Sequence, residues 1–365
     1  MARIPESGII NTKQNTWLLF IIITSFTALQ VPGLLIFQAG RDAWLSVFFA
    51  WFFDVLLAVV YAYMGIRFPG ENPVQYSTTI LGKFLGKLAG LAFILFYLIV
   101  SVDLMRGLGM YIGSVFLPKT PIEIILVGAF LVIAYIVHKG IEVIGRICEI
   151  LGPLYLASFI VLFLLALPSA HFRLLKPQFD QGIYPFLSGI PLILSYIGIC
   201  ISMGWYSAIS DRPENGFLAK FSAVSLGTLV INMVIVNGIS CFGASDAGNM
   251  VNPGLQLVRL IRVGDYFERM EVLWMVIAIG AGIMVAVNSL WIVSLGIAQI
   301  TGLSGYKKLI NPIALLAFFL TVSSFPNNTV FLNFTFYIFP IVGILVETGL
   351  EMFLFCAALI SGKKG

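Results

Sequence analysis

Apolar residues run through this chain in long blocks, and polar residues break the blocks at sparse, specific places. A helix that spans a bilayer needs about 20 apolar residues. Ten stretches suit that length: 14–37, 43–66, 85–117, 121–138, 147–168, 187–208, 217–241, 271–299, 308–325 and 331–359. The pattern predicts an all-α polytopic membrane protein with about ten transmembrane helices, forming a single transmembrane domain over residues 1–365. The polar start, Met1 to Thr16, reads as the lead-in to a retained first helix.

The first segment carries its polar residues at its centre, in Thr24-Ser25-Phe26-Thr27-Ala28-Leu29-Gln30-Val31-Pro32-Gly33. Pro32 lacks an N–H and its ring clashes with the carbonyl of Ala28, while Gly33 loosens the next turn. Lipid offers no partners to the freed carbonyls, so such a break is expected only where it is buried in protein or lines a cavity. Taken alone, the stretch reads either as a proline kink or as half of a ligand site. The sixth segment has a similar centre, with Ser195-Tyr196-Ile197-Gly198 at mid-span and Ser202, Gly204 and Ser207 beyond it. These two segments head halves of five helices each, about 14–168 and 187–359. Because five is odd, the second half must be inverted relative to the first. A 5+5 inverted repeat whose broken first helices meet at mid-membrane is a transporter architecture.

Composition narrows the class further. Charged residues make up 10% of the chain, against about 25% in soluble proteins, and the mean hydropathy is +1.01. The net charge of +4 includes no basic cluster, which gives nucleic-acid binding no support. Most Lys and Arg, including Arg67, Lys83, Lys139, Arg146, Lys220, Lys307 and Lys363, fall on one side of the predicted membrane, which places both termini in the cytoplasm. The four cysteines form no CxxC pair and the two histidines have no partner at ligand spacing, so no metal site or cofactor is implied. No phosphate-binding GxxxxGK[ST], no HExxH and no nucleophile elbow is present, which speaks against an enzyme.

A few ionisable groups interrupt the apolar runs. Asp54 sits among Trp51-Phe52-Phe53 and Val55-Leu56-Leu57, where an acid costs about 2.5–3.5 kcal/mol on insertion scales. It reads either as a proton- or cation-coupling group or as a buried structural partner. Asp103 and Arg106 share a helix face and are expected to pair, as a structural ion pair or as a gate or ligand-carboxylate contact. Gly82, Gly86 and Gly90 recur every four residues as a close-packing stripe. In the outer loop 241–270, Gly254–Arg262 is amphipathic, with Leu257, Leu260 and Ile261 on one face and Arg259 and Arg262 opposite. Pro340, Glu347 and Glu351 interrupt the last segment.

Several stretches together resemble a known family. They are Leu29-Gln30-Val31-Pro32, Gly40-Arg41-Asp42-Ala43-Trp44-Leu45, Arg106, Lys119-Thr120-Pro121-Ile122, Arg173-Leu174-Leu175-Lys176-Pro177 with Gly182-Ile183, Phe267-Glu268-Arg269-Met270-Glu271 and Phe325-Pro326-Asn327-Asn328. In order and spacing, over essentially the whole chain, these resemble the B subunits of GerA-type spore germinant receptors. That family is the endospore formers' branch of the amino acid–polyamine–organocation transporters. The resemblance implies a LeuT-like fold with broken helices one and six. It also implies a place in the inner membrane of a bacterial spore, beside an A subunit and a lipoprotein C subunit. The protein would sense a small-molecule germinant, often an amino acid, and trigger germination.

On that reading, a ligand carboxylate meets free N–H groups at the two breaks. Ser25, Thr27 and Gln30 would supply hydroxyl and amide contacts. Val100, Asp103, Ser195, Tyr196, Gly198, Val285 and Asn288 would wall the pocket, with Asp54 and Arg106 as coupling or gating residues. The wider transporter family has a glycine pair where this chain has Ser25-Phe26-Thr27, so Phe26 would crowd the ligand backbone while the hydroxyls add hydrogen bonds. The competing readings are a working H⁺- or Na⁺-coupled amino acid permease and a scaffold or ion pore opened by partners.

Overall fold

The structure, a computed structural model, describes residues 8–260 and 271–365, apart from the side chains of residues 26, 271–273 and 275–277. The expected contribution of the Phe26 side chain, and the placement of Ile261, Arg262 and the Phe267–Met270 motif, lie outside the described residues. Each of the ten apolar segments is helical. In chain order the helices are α1 (Thr12–Thr27), α2 (Val31–Ala39), α3 (Ala43–Arg67), α4 (Pro73–Leu81), α5 (Lys83–Val115), α6 (Ile122–Lys139), α7 (Ile141–Ala166), α8 (Tyr184–Ile197), α9 (Met203–Ser207), α10 (Gly216–Phe242), α11 (Ala244–Asn249), α12 (Pro253–Leu260), α13 (Glu271–Thr301), α14 (Ile310–Ser323), α15 (Asn328–Asn333), α16 (Phe339–Gly343) and α17 (Glu351–Ser361). Among the described residues, eight helical stretches are long and apolar enough to cross a membrane. The two predicted segments outside these eight are the first, whose break leaves α1 with 16 residues, and the ninth, where α14 has 14.

Both chain ends pack at one end of the bundle. Ile10 bridges Ser210, Gly65 abuts Ser207, and the Gly365 N–H donates to the Arg67 carbonyl at 3.2 Å. The short helix α4 lies at the same end. Asn72 and Gln75 close a capping box at its start and Pro73 fills its first turn, which explains why so short a helix holds. The Asn72 amide also donates to Gln299 of α13 at 3.1 Å. The glycine stripe divides its work accordingly. Gly82, at φ +83°, turns the chain from α4 into α5, whereas Gly86 lets α5 lie against the backbone of Ser77 and Thr78. At the opposite end, α12 buries Leu255, Leu257 and Val258, while Leu260, expected on the buried face, is exposed beside Arg259.

Asp54 has a partner that the sequence pattern placed elsewhere. Lys220 belongs to α10 rather than to a cytoplasmic loop, and its Nζ donates to Asp54 Oδ1 at 3.0 Å, with both side chains fully buried. The ammonium also sits 4.0 Å from the centre of the Tyr61 ring, a cation–π contact that adds to its compensation. The pair joins α3 to α10. Lys220→Met, which strands Asp54, is expected to destabilise the protein by about 3–5 kcal/mol, and Asp54→Leu combined with Lys220→Met to recover most of that loss. Thermal unfolding of the detergent-solubilised chain checks both, and a single variant as stable as the wild type would contradict the assignment.

Candidate functional site

The first segment parts where its proline requires. α1 ends at Thr27, residues 28–30 form a turn, and α2 starts at Val31 with Pro32 in its first turn, where a missing N–H costs nothing. The Ala28 N–H still reaches the Thr24 carbonyl at 3.1 Å, and the Thr24 hydroxyl donates to the Phe20 carbonyl at 2.8 Å. Ser25 Oγ and Gln30 Oε1 are buried without hydrogen-bond partners. Thr27, the last residue of α1, is also buried. Gly33 has a use beyond loosening the turn, because a Cβ there would collide with the carbonyl oxygen of Met250. The glycine lets α2 press against the chain that links α11 to α12.

The sixth segment narrows rather than parts. α8 passes into a 3₁₀ stretch, Gly198–Ser202, and then directly into α9. One carbonyl of that stretch is satisfied from a neighbouring helix, where the Tyr97 hydroxyl donates to Ile199 at 2.9 Å. A Cβ at Gly198 would run into the Glu347 carboxylate.

The structure distributes the expected site residues over layers. The Ser195 hydroxyl is spent on the Leu192 carbonyl at 2.8 Å. Tyr196 donates its hydroxyl to the Thr335 carbonyl at 3.0 Å and stacks on Phe339 at 4.6 Å. The Thr335 hydroxyl in turn donates to Asp103 Oδ1 at 3.0 Å. Asp103 and Tyr196 therefore meet on Thr335. The expected Asp103–Arg106 ion pair does not form among the described residues: Thr335 takes the acid, and Arg106 lies one turn further along. Lower in the bundle, Asn288 Oδ1 accepts from the Tyr206 hydroxyl. Val100 and Val285 are buried in the apolar core.

Two of the expected residues, Gln30 and Arg106, line a cavity of about 620 Å³ at the end of the bundle away from the chain termini. Its wall comes from the turn after α1 (Leu29, Gln30), the last turns of α5 (Arg106 to Val115), the residues around α12 (Asn252, Gln256, Arg259) and the start of α15 (Asn328, Leu332). The volume lies within the range of small-molecule pockets.

A family model described as spore germination protein (Spore_permease) matches residues 9–329. The chain belongs to the spore germination protein family. Spore germination protein YndE of Bacillus subtilis (strain 168) is 26% identical over 80% of this chain and 81% of its own length. Spore germination protein KB of the same organism is 24% identical over 98% of this chain and 97% of its own. Among solved structures, the nucleobase-cation-symport-1 family transporter Mhp1, in a closed conformation with bromovinylhydantoin bound, superposes with a TM-score of 0.74 at 13% identity, over 99% of this chain and 80% of its own. MhsT in complex with L-phenylalanine gives 0.70 at 16% identity, over 96% and 89%. The germination-family chain thus has the LeuT fold of these transporters.

Four polar residues at the heart of this family member escape a reading by segments. Lys220 follows Phe217-Leu218-Ala219 and precedes Phe221, so its apolar flanks, together with an acid in need of a partner, are the signal that finds it. Glu347 and Glu351 are both buried, and Glu351 Oε1 accepts from the Tyr76 hydroxyl at 2.7 Å. Thr335 and Glu347 each lie in a π-helical stretch, Phe334–Ile338 and Ile344–Leu350, a local widening that no sequence period announces. Gly198→Ala is expected to cost about 1–3 kcal/mol through the clash with Glu347. Adding Glu347→Ser, which shortens the opposing side chain, should return part of that loss in the same thermal unfolding assay.

Proposed function

We propose that this chain is the nutrient-sensing subunit of a spore germination receptor. It sits in the inner membrane of the spore with both termini in the cytoplasm and works with an A subunit and a lipoprotein C subunit. Its ligand is a small-molecule germinant of the amino acid class. Ligand recognition centres on the helix-one break: Ser25, Thr27 and Gln30 contact the ligand, and Tyr196 and Asp103 hold the wall behind it through Thr335. The observation that carries this reading is the coincidence of family and geometry. A chain of the spore germination family has its broken first helix, with unpartnered polar atoms, at the edge of a ligand-sized cavity.

The Asp54–Lys220 pair favours a sensor over a proton-coupled carrier. Asp54 Oδ1 is already engaged at 3.0 Å by a buried ammonium, and that charge pairing opposes use of the acid by a transported ion. A carrier using Asp54 would have to separate two buried charges in every cycle, at a cost of several kcal/mol.

The test is made in spores whose response depends on this chain. Thr27→Val and Tyr196→Phe are expected to shift the nutrient preference, or to raise the half-saturating nutrient concentration roughly tenfold or more, with unchanged protein in the membrane on an immunoblot. Wild-type responses from both variants at wild-type abundance would sink the site assignment. Gradient-driven accumulation of radiolabelled amino acid by the purified chain in proteoliposomes would transfer the case to a working permease.

A further inference from the structure

The cavity beside Gln30 carries charge of one sign. Arg106 and Arg259 stand on its wall, and no Asp or Glu of the described residues does. Arg106 is only 8% exposed, and its Nε has no hydrogen-bond partner. Among the described residues no carboxylate lies within ion-pairing distance of its guanidinium. Asp103, one turn away, is engaged by Thr335. Glu123, near the start of α6, is within electrostatic reach but forms no part of the wall. A cation nine-tenths buried without a partner is costly, and an anion brought into the cavity offsets that cost.

Two further residues of the wall each carry a buried, unpartnered atom. Asn252 Oδ1 accepts from the Leu255 N–H at 2.9 Å, which fixes the orientation of the amide and leaves its Nδ2 donor without a partner. Gln30 Oε1 supplies an acceptor. The residues of the wall therefore carry two unsatisfied donors, one on a guanidinium, and one unsatisfied acceptor, which a side-chain rotation would bring to a bound solute. A guanidinium fork matches the paired oxygens of a carboxylate, as it does those of a phosphate, and the amino acid class of ligand proposed above selects the carboxylate.

We propose that this cavity is a carboxylate site. Arg106 and Asn252 hold the carboxylate of a small solute, and Gln30 accepts a hydrogen bond from an N–H or O–H elsewhere on it. The site's place in germination rests on the nutrient-sensing reading above, and it narrows the ligand to small carboxylates with a second polar group. Arg106 then contacts the ligand itself, and the Asp103–Arg106 gate drops out.

The probes are L-alanine, L-leucine, L-phenylalanine and the amide of each, titrated against the purified full chain in detergent with thermal unfolding as the readout. At least one acid is expected to raise the unfolding temperature saturably, while its amide needs at least about thirtyfold more. Arg106→Gln should lose the acid's affinity by a similar factor, and Arg106→Lys by about tenfold. Should Arg106→Gln fail to fold, Asn252→Asp serves: its new carboxylate occupies the guanidinium and lowers the acid's affinity about tenfold. Equal response to acid and amide, a folded Arg106→Gln or Asn252→Asp chain with wild-type affinity, or no response to any of the acids overturns the proposal. The two readings separate in spores. If Arg106-dependent binding holds but Arg106→Gln spores germinate as wild type, the sensing reading fails and the carboxylate site stands. If Thr27 and Tyr196 variants alter germination while acid and amide bind alike, the reverse is true.

Discussion

An ionised side chain inside an apolar bundle must find its counter-charge within the protein, and the Asp54–Lys220 pair is where this chain meets that demand most fully. Both groups are wholly buried and 3.0 Å apart. Much of the surrounding packing follows from them. The ammonium needs the Tyr61 ring beneath it, at 4.0 Å. The Tyr61 hydroxyl then reaches the Glu347 carbonyl at 2.8 Å, which fixes the last long helical segment against α3. With its backbone held there, Glu347 turns its carboxylate onto Gly198 at the centre of the sixth segment. A line of contacts thus runs from one ion pair to the middle of the bundle, and each step exists because the previous polar group required a partner.

Helical irregularity supplies the geometry for those steps. A regular α-helix over residues 328–361 would present side chains at fixed angles. Its two π stretches instead turn Thr335 towards Asp103 and Glu347 towards Gly198. The 3₁₀ stretch of the sixth segment meets them from the other side. Its Ile199 carbonyl is covered by Tyr97, and Cys200 Sγ lies 3.6 Å from the Leu19 carbonyl of α1. Irregular backbone persists at this depth where neighbouring helices satisfy it, as Tyr97 of α5 does for Ile199, Tyr196 of α8 for Thr335 and Tyr61 of α3 for Glu347.

What the amino-acid pattern made legible was set by local chemistry. The ten helical segments follow from apolar runs, and the break after Thr27 follows from a proline whose steric demand is local and absolute. The Gly86 contact was legible for a similar reason, since small residues every four positions have few other uses. Partnerships between distant segments were not. Asp54 announced only that it needed something, and Lys220 stands 166 residues away, at the start of a helix where it resembled a loop cation. Asp103 and Arg106 looked paired because they are three apart, yet Thr335, 232 residues on, takes the acid. The interruption of the sixth segment was legible from its polar, small-residue centre: α8 ends at Ile197 and the 3₁₀ stretch Gly198–Ser202 separates it from α9. The partner of Tyr196, the Thr335 carbonyl, was not.

The helix-one turn separates the two ends of the bundle. α1 is tied to the end that carries the termini, through Ile10 at the Ser210 bridge and Lys13 with Glu149 at 3.0 Å. α2 is tied to the other end, where Gly33 meets Met250 and Gly248 of α11 lies against the backbone of Phe37. The turn 28–30 is the joint between these two attachments. Gln30 is in that joint and lines the cavity. A ligand acts on a conformational equilibrium only through contacts that differ between the states. A contact at Gln30 therefore bears on α2, α11 and α12 before it bears on α1. Arg106, Gln30 and Asn252 of the cavity wall each carry a side-chain atom without a partner, and a bound solute can act on that half of the molecule through them.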